Sequence, residues 1–279
     1  MREQQTQPGL EGLAPFFRRV GSAARRGLLL DFDGTIAPFA ADRGLAAPYP
    51  GIRSRLRALV HAPRPTRVAI VSGRGLADLR TRAAIEPPVE LWGSHGLERL
   101  TADGREVSAP PPEKLGRLVE EIGEDFAAKG LADVLERKPF GVAIHRRGNP
   151  PELFERARRE LLERFAPRAE EAGLRRLAFD GGVELRMIGS DKGIAVRSML
   201  AELGEDSAVA YLGDDLTDED AFAALDGRGL TVLVRETPHP TLASAWIRPP
   251  DELFRFLEEW TEAAARDAHG RDAATGRAS

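Results

Sequence analysis

Asp31 and Asp33 stand one residue apart at the end of an apolar run, in the stretch LLLDFDGTIAPFA that spans residues 28–40. Such a run reads as a buried strand, and two carboxylates released at its end repel each other and resist desolvation. A divalent cation between them is the simplest remedy. In a chain without cysteine the donors are oxygens, which suit hard Mg²⁺ better than Zn²⁺. A second acidic cluster, GDDLTDED at 213–220, follows another apolar run and adds Asp214, Asp215 and Asp218. Ser72 in VSGR offers a hydroxyl donor, and Lys192 in SDKG sets a cation before a helical stretch. Carboxylates, a cation, a hydroxyl and an ammonium together describe a site for a phosphoryl group.

Each motif also has a plainer reading. DFDGT is made of ordinary turn residues, Ser72 could cap the helix after it, and Glu219 and Asp220 complement a helix dipole. Turn chemistry does not explain why two acidic clusters both follow apolar runs. A calcium loop is excluded, because Ile36 occupies the sixth position, where such a loop needs glycine. His95, in GSHG, reads as a core histidine and is given no catalytic role.

The elements that must position these residues are apolar runs ending in polar or glycine-containing turns. They lie at 27–34, 67–74, 89–96, 207–215 and 230–236, separated by helical patterns. Runs of Val, Ile, Leu and Ala buried on both faces predict parallel strands of an α/β sheet, whose functional crevice lies beyond the carboxyl ends of the strands. Residues 110–187 have a different texture: a proline run, a helix, two strands around Pro139–Gly141, a helix and two more strands. They read as an inserted α+β domain within a discontinuous core of residues 1–109 and 188–265. An amphipathic helix is expected near the N-terminus, and residues 266–279, with few large apolar side chains, are expected to be disordered.

The composition narrows the setting. With 42% hydrophobic residues, 30% charged residues and a net charge of −4, a soluble globular chain is expected, with no cationic field to hold nucleic acid. Disulfides, thiolate metal sites and cysteine nucleophiles are excluded with cysteine. No run of about 18 apolar residues predicts a membrane span, and no leader pattern opens the chain, so the cytoplasm is the expected address. Lys114, Lys129, Lys138 and Lys192 are the lysines among 40 basic residues, which singles each of them out.

DFDGT, VSGR, the lysine of DKG and GDDLTDED, in this order over residues 27 to 235, resemble the four motifs of the haloacid dehalogenase-like phosphatases. The resemblance implies a Rossmann-like core with a C2-type cap, and a Mg²⁺-dependent hydrolysis through an aspartyl-phosphate. It makes Asp31 the nucleophile and Asp33 the general acid and base. It also implies that Asp31, the backbone carbonyl of Asp33 and Asp214 hold Mg²⁺, with Asp215 and Asp218 orienting or supplementing them. Ser72 and Lys192, with the loop at Gly34 and Thr35, would bind the phosphate.

GSHG at 93–96, ERKPFGVAIHRR in the inserted segment and GDDLTDEDAF are similar to the trehalose-6-phosphate phosphatases. That likeness puts the sugar-reading residues at Glu136, Lys138, His145, Arg147 and Glu184. Met187 stands where the family pattern has proline, and Arg137 fills the middle of its E-x-K. The implied substrate is a small sugar phosphate, trehalose 6-phosphate, handled by a monomer that works alongside a trehalose-6-phosphate synthase. Alternatives within the same likeness are a phosphatase for sucrose phosphate, glucosylglycerol phosphate or mannosyl-phosphoglycerate, a mutase, and a regulatory subunit without turnover.

Overall fold

The computed structural model describes residues 7–40, 42–179 and 181–266, so the C-terminal stretch expected to be disordered lies outside the described residues apart from Arg266. The strands of the larger sheet are β1 (Gln7–Pro8), β2 (Arg25–Asp31), β3 (Arg67–Val71), β4 (Glu90–Gly93), β5 (Glu98–Leu100) and β6 (Glu106–Ser108), followed after the insertion by further strands. The insertion carries β7 (Leu135–Lys138), β8 (Gly141–His145), β9 (Leu174–Phe179) and β10 (Gly182–Met187). The chain then returns to the larger sheet with β11 (Ser207–Gly213), β12 (Leu230–Val234) and β13 (Ala245–Ile247). Among the described residues the larger sheet has the order β1-β13-β12-β11-β2-β3-β4-β5-β6, parallel except for the β4-β5-β6 edge. The five runs expected to be parallel strands are parallel strands.

Both faces of this sheet are buried, which is why its strands read as unbroken apolar runs. On one face, Leu28 and Leu30 of β2, Val68 and Ile70 of β3 and Leu212 of β11 pack with helices α1 (Ala14–Ser22), α2 (Ile52–His61) and α3 (Leu76–Ala83). On the other face lie Leu29, Ala69, Val209 and Tyr211. The expected N-terminal helix is α1, and Phe17 and Val20 bury its apolar stripe in the core.

The insertion builds its own core. Helix α4 (Glu113–Ala128), and α5 (Pro151–Glu160) continuing through Leu161–Phe165 into α6 (Ala166–Ala169), cover one face of an antiparallel sheet of order β7-β8-β10-β9. Val142 and Ile144 of β8 and Val183 and Leu185 of β10 point into that cluster. Strand side chains alternate, so the residues between them share the opposite face. Glu136 pairs with Ala143, and Ala143 pairs with Glu184, which sets two carboxylates in one row on either side of a methyl group.

Strand order reverses between β2 and β11, which run side by side although the whole insertion separates them in sequence. Asp31 ends β2 and Asp214 follows β11, so both carboxylates reach the switch point of the sheet, where open α/β sheets bind their ligands. Helices α7 (Gly193–Leu203) and α8 (Glu219–Leu225) cover the second face behind them, and α9 (Asp251–Arg266) closes the first.

Trp260 of α9 is fully buried, and its Nε1 donates to Thr66 Oγ1 at 2.9 Å. Replacing it with Phe leaves a buried hydroxyl without its donor and a gap beside Phe256, so Trp260→Phe should lower the unfolding free energy by about 1–3 kcal/mol in urea titration.

Candidate active site

A buried charge cluster lies at the carboxyl ends of β2 and β11. Lys192, which immediately precedes α7, donates from Nζ to Asp31 Oδ1 at 2.5 Å and to Asp218 Oδ1 at 2.8 Å. Asp218 is fully satisfied. Its Oδ1 also accepts from Tyr211 Oη at 2.6 Å, and its Oδ2 accepts the backbone N–H groups of Asp214 and Asp215, each at 3.0 Å. With its acceptor sites spent in this way, Asp218 holds the turn after β11 and fixes the ammonium. Asp214 is the opposite case, since both of its carboxylate oxygens are buried without a hydrogen-bond partner among the described residues.

Charge balance explains the consequences. Asp31, Asp214 and Asp218 offer carboxylate oxygens within 4.8 Å of one another against the one ammonium of Lys192. Burial pushes the Asp31 carboxyl up to about 7, with Lys192 opposing and Asp218 and Asp33 adding to the rise. Burial, then Asp31 and Asp218, push Asp214 well above the ordinary carboxylate range. The same three carboxylates are the groups that could bind a metal. Unpartnered Asp214 oxygens beside Asp31 fit a cation that accepts oxygen ligands, and its charge would hold both groups ionised. Burial disfavours the charged form of Lys192, but Asp218 and Asp31 outweigh it and hold the ammonium protonated.

Asp33 sits in a different setting. Arg74, which is buried, grips it with two parallel bonds, Nε to Oδ2 and Nη2 to Oδ1, both 2.7 Å, and gives its remaining Nη1 to Asp78 at 2.6 Å. Ser72 is buried at the end of β3, and its hydroxyl accepts from Arg74 N at 3.2 Å, while the helix after it is capped at Gly75. Gly34 has φ +93°, and a Cβ there would lie 2.2 Å from Asp214 Oδ2. The turn after β2 therefore needs glycine both for its backbone and for the approach of Asp214.

The polar face of the smaller sheet closes over these groups. Lys138 donates to Glu184 Oε1 at 2.7 Å, and His145 Nε2 bonds Glu136 Oε2 at 2.8 Å. Burial alone would raise the Glu184 carboxyl, but Lys138 foremost, with Arg186, overcomes it and holds the group well below its ordinary range. Arg147 stacks 3.8 Å above the ring of Phe39, joining the smaller sheet's unit to the loop after β2. Between the two layers lies a cavity of about 120 Å³. That is smaller than the roughly 300–1,000 Å³ of sites enclosing a drug-sized ligand, so the two layers are drawn together.

Its wall includes Asp31, Asp33, Ser72, Lys192, Asp214 and Asp215 from below and Lys138, His145, Arg147 and Glu184 from above. Gly34, Thr35 and Glu136 are outside that wall: Glu136 lines an adjoining groove, and the buried Thr35 hydroxyl has no partner among the described residues. Asp215 uses its side chain to cap the following turn at Leu216 N, 2.7 Å away. Sequence reasoning assigned no role to Arg74, Tyr211 or His95. Arg74 belongs to the quoted VSGR and Tyr211 to the strand before GDDLTDED, but neither carries a pattern that names its partner.

A mostly parallel sheet with helices on both faces, a separate antiparallel cap sheet and carboxylates at the switch point define the haloacid dehalogenase-like fold. The chain belongs to the trehalose-phosphatase family, whose model matches residues 29–246. A Mycobacterium tuberculosis protein named an uncharacterized glycosyl hydrolase is 36% identical over 257 residues, covering 87% of this chain and 19% of that protein. A trehalose-phosphate phosphatase of Mycobacterium avium is 34% identical over 252 residues, covering 83% of this chain and 60% of that protein. The chain thus spans less than two thirds of the length of either relative. The C-terminal domain of trehalose-6-phosphate phosphatase from C. albicans has the same fold, with a TM-score of 0.71 at 24% identity, covering 95% of this chain and 99% of that one.

Two outcomes follow from the local geometry. Gly34→Ala should reduce any phosphatase turnover by about 10²-fold, because the methyl group displaces Asp214; rates at saturating substrate check this. Burial pushes the His95 imidazole down to about 4, against the pull of Glu184 and with Arg186 and Lys138 adding to the fall. An unfolded histidine takes its proton near 6.5, so this contribution is complete above that pH and fades as pH falls towards 4. The loss should reach roughly 2–3 kcal/mol by pH 4.5 in urea unfolding, and His95→Asn should show a correspondingly shallower decline, the other groups being common to both proteins.

Proposed function

We propose that the chain hydrolyses trehalose 6-phosphate to trehalose and phosphate through an aspartyl-phosphate on Asp31, with Mg²⁺ as cofactor. The observation that carries this reading is the pair of unpartnered Asp214 oxygens beside Asp31, under a cap face that presents Lys138 and Glu184. Asp31, the backbone carbonyl of Asp33 and Asp214 would hold the Mg²⁺, and Asp218 and Asp215 keep that turn in place. When bound, the ion offsets the carboxylate charge and polarises the phosphoryl group.

Lys192 takes Asp31 Oδ1, which leaves Oδ2 to attack phosphorus. As the phosphorus–oxygen bond to the sugar breaks, Asp33 gives its proton to the departing alkoxide. The resulting Asp33 carboxylate takes a proton from water, whose oxygen attacks phosphorus and frees phosphate and Asp31. Arg74 holds both oxygens of Asp33 as a carboxylate here, so Asp33 must part from Arg74 and take up a proton before it acts as the acid. Ser72, Lys192 and the loop at Gly34 and Thr35 bind the phosphoryl oxygens.

Residues 110–187 act as the substrate-reading cap on a core of residues 1–109 and 188–265. Glu136, Lys138, His145, Arg147 and Glu184 offer acceptors and donors to sugar hydroxyls. The separate hydrophobic cluster of the cap and the name of the M. avium relative support this division of labour. Among the described residues no helix is long and apolar enough to cross a membrane. The proposal takes the chain as a cytoplasmic monomer acting on the product of a trehalose-6-phosphate synthase.

The test is phosphate release from a panel of sugar phosphates, with Mg²⁺ and with EDTA. Selective, Mg²⁺-dependent release from trehalose 6-phosphate is expected, and Asp31→Asn should abolish it with the fold intact by circular dichroism. Full activity of Asp31→Asn would refute the aspartyl-phosphate, and turnover of a different sugar phosphate would replace the substrate while keeping the chemistry. Glu136→Ala should reduce release from trehalose 6-phosphate by roughly tenfold more than release from a small aryl phosphate.

A further inference from the structure

His95 is a buried polar side chain that the mechanism leaves unused. It is 5% exposed, it lines the catalytic cavity, and neither ring nitrogen has a hydrogen-bond partner among the described residues. A buried imidazole without partners is costly. The backbone adds to that cost, because Ser94 and His95 both adopt left-handed conformations, at φ +47° and +54°, which non-glycine residues rarely take. Gly73, in the loop after β3, makes room for the ring, and a Cβ there would lie 2.6 Å from His95 Cε1. These features place an unsatisfied imidazole at one spot in the wall.

The group it faces belongs to the cap. His95 Nε2 lies 3.4 Å from Glu184 Oε2, a separation at which the pair forms no well-directed hydrogen bond. Glu184 Oε1 is occupied by Lys138, so Oε2 is its available acceptor. Two atoms 3.4 Å apart can each stand about 2.8 Å from a single third oxygen. A hydroxyl suits that position, since it is a donor and an acceptor at once.

We propose that His95 and Glu184 form a two-point receptor for one hydroxyl of the substrate's sugar, which donates to Glu184 Oε2 and accepts from the His95 Nε2–H. This rests on the reading of the cavity as a sugar-phosphate site. Burial keeps the imidazole neutral, so it has a single N–H to offer. A carboxylate at the same position has no proton for Glu184, an ammonium has no lone pair for His95, and a deoxy sugar has neither, so the pair selects for a hydroxyl. His95 comes from the core and Glu184 from the cap, and the bound hydroxyl bridges the two layers. His95 is thereby a specificity-determining residue.

The experiment compares kcat/KM of the wild-type chain, His95→Asn, Glu184→Gln and the double variant on trehalose 6-phosphate and on p-nitrophenyl phosphate. Asn tolerates the left-handed backbone. If that variant does not fold, His95→Gln carries the same comparison. His95→Asn should lose roughly 10–100-fold on the sugar phosphate, at least about tenfold more than on the aryl phosphate. Because both residues serve one hydroxyl, the double variant should fall no more than about threefold below the weaker single variant.

Equal losses on the two substrates would overturn the proposal in favour of a structural histidine, and additive losses in the double variant would overturn the shared hydroxyl. Wild-type turnover of the aryl phosphate but of no sugar phosphate would remove the sugar-phosphate reading, and the proposal with it. Wild-type turnover of another sugar phosphate would change the sugar alone, and the same ratios measured on it decide the proposal.

Discussion

The ammonium of Lys192, buried between Asp31 and Asp218, is the constraint on which the rest of the site depends. A buried lysine without partners would lose its charge, and buried carboxylates without a cation would gain protons. Together they stabilise one another, although three acids against one base leave an excess of negative charge that a bound cation would offset. The sheet makes the encounter possible. β2 and β11 are hydrogen-bonded neighbours, so their carboxyl ends deliver Asp31 and Asp214 side by side. Tyr211 and two backbone N–H groups then saturate Asp218, which becomes a fixed anchor for the lysine.

The cap solves a different problem with simpler means. Its antiparallel sheet needs one apolar face against α4, α5 and α6, and the alternation of side chains supplies a polar face at no further expense in design. Ala143 separates Glu136 from Glu184 with the smallest chiral side chain; Lys138 lies between the acids, 2.7 Å from Glu184 and 3.7 Å from Glu136, and His145 adds a second partner for Glu136. Core and cap meet through Arg147 on Phe39 and through His95 opposite Glu184.

Much of this was legible in the sequence because burial on both faces writes itself as uninterrupted apolar runs. β2, β3, β4, β11 and β12 could be read that way, and the motifs at their ends located Asp31, Ser72, Lys192 and Asp214 at one edge of the sheet. β13 and the short edge strands β1, β5 and β6 left no such trace, being two or three residues long. Partnerships were less visible than positions. Arg74 is one of many arginines in the chain, and its grip on Asp33 spans 41 residues of sequence. His95 read as a satisfied core residue, yet its nitrogens lack partners, a property that depends on how Gly73 and Glu184 approach it and that no local pattern encodes.

The two faces of the cap sheet also tie correctness of folding to competence. A slip of one residue in the pairing of β8 with β10 would turn Val183 and Leu185 outward and carry Glu184 and Arg186 into the apolar cluster. A misregistered cap would therefore lose its stability and its reading face in the same event. A one-residue slip thus yields no well-packed but blind version of this cap, so against that error the stability of the folded cap serves as its own proof-reading.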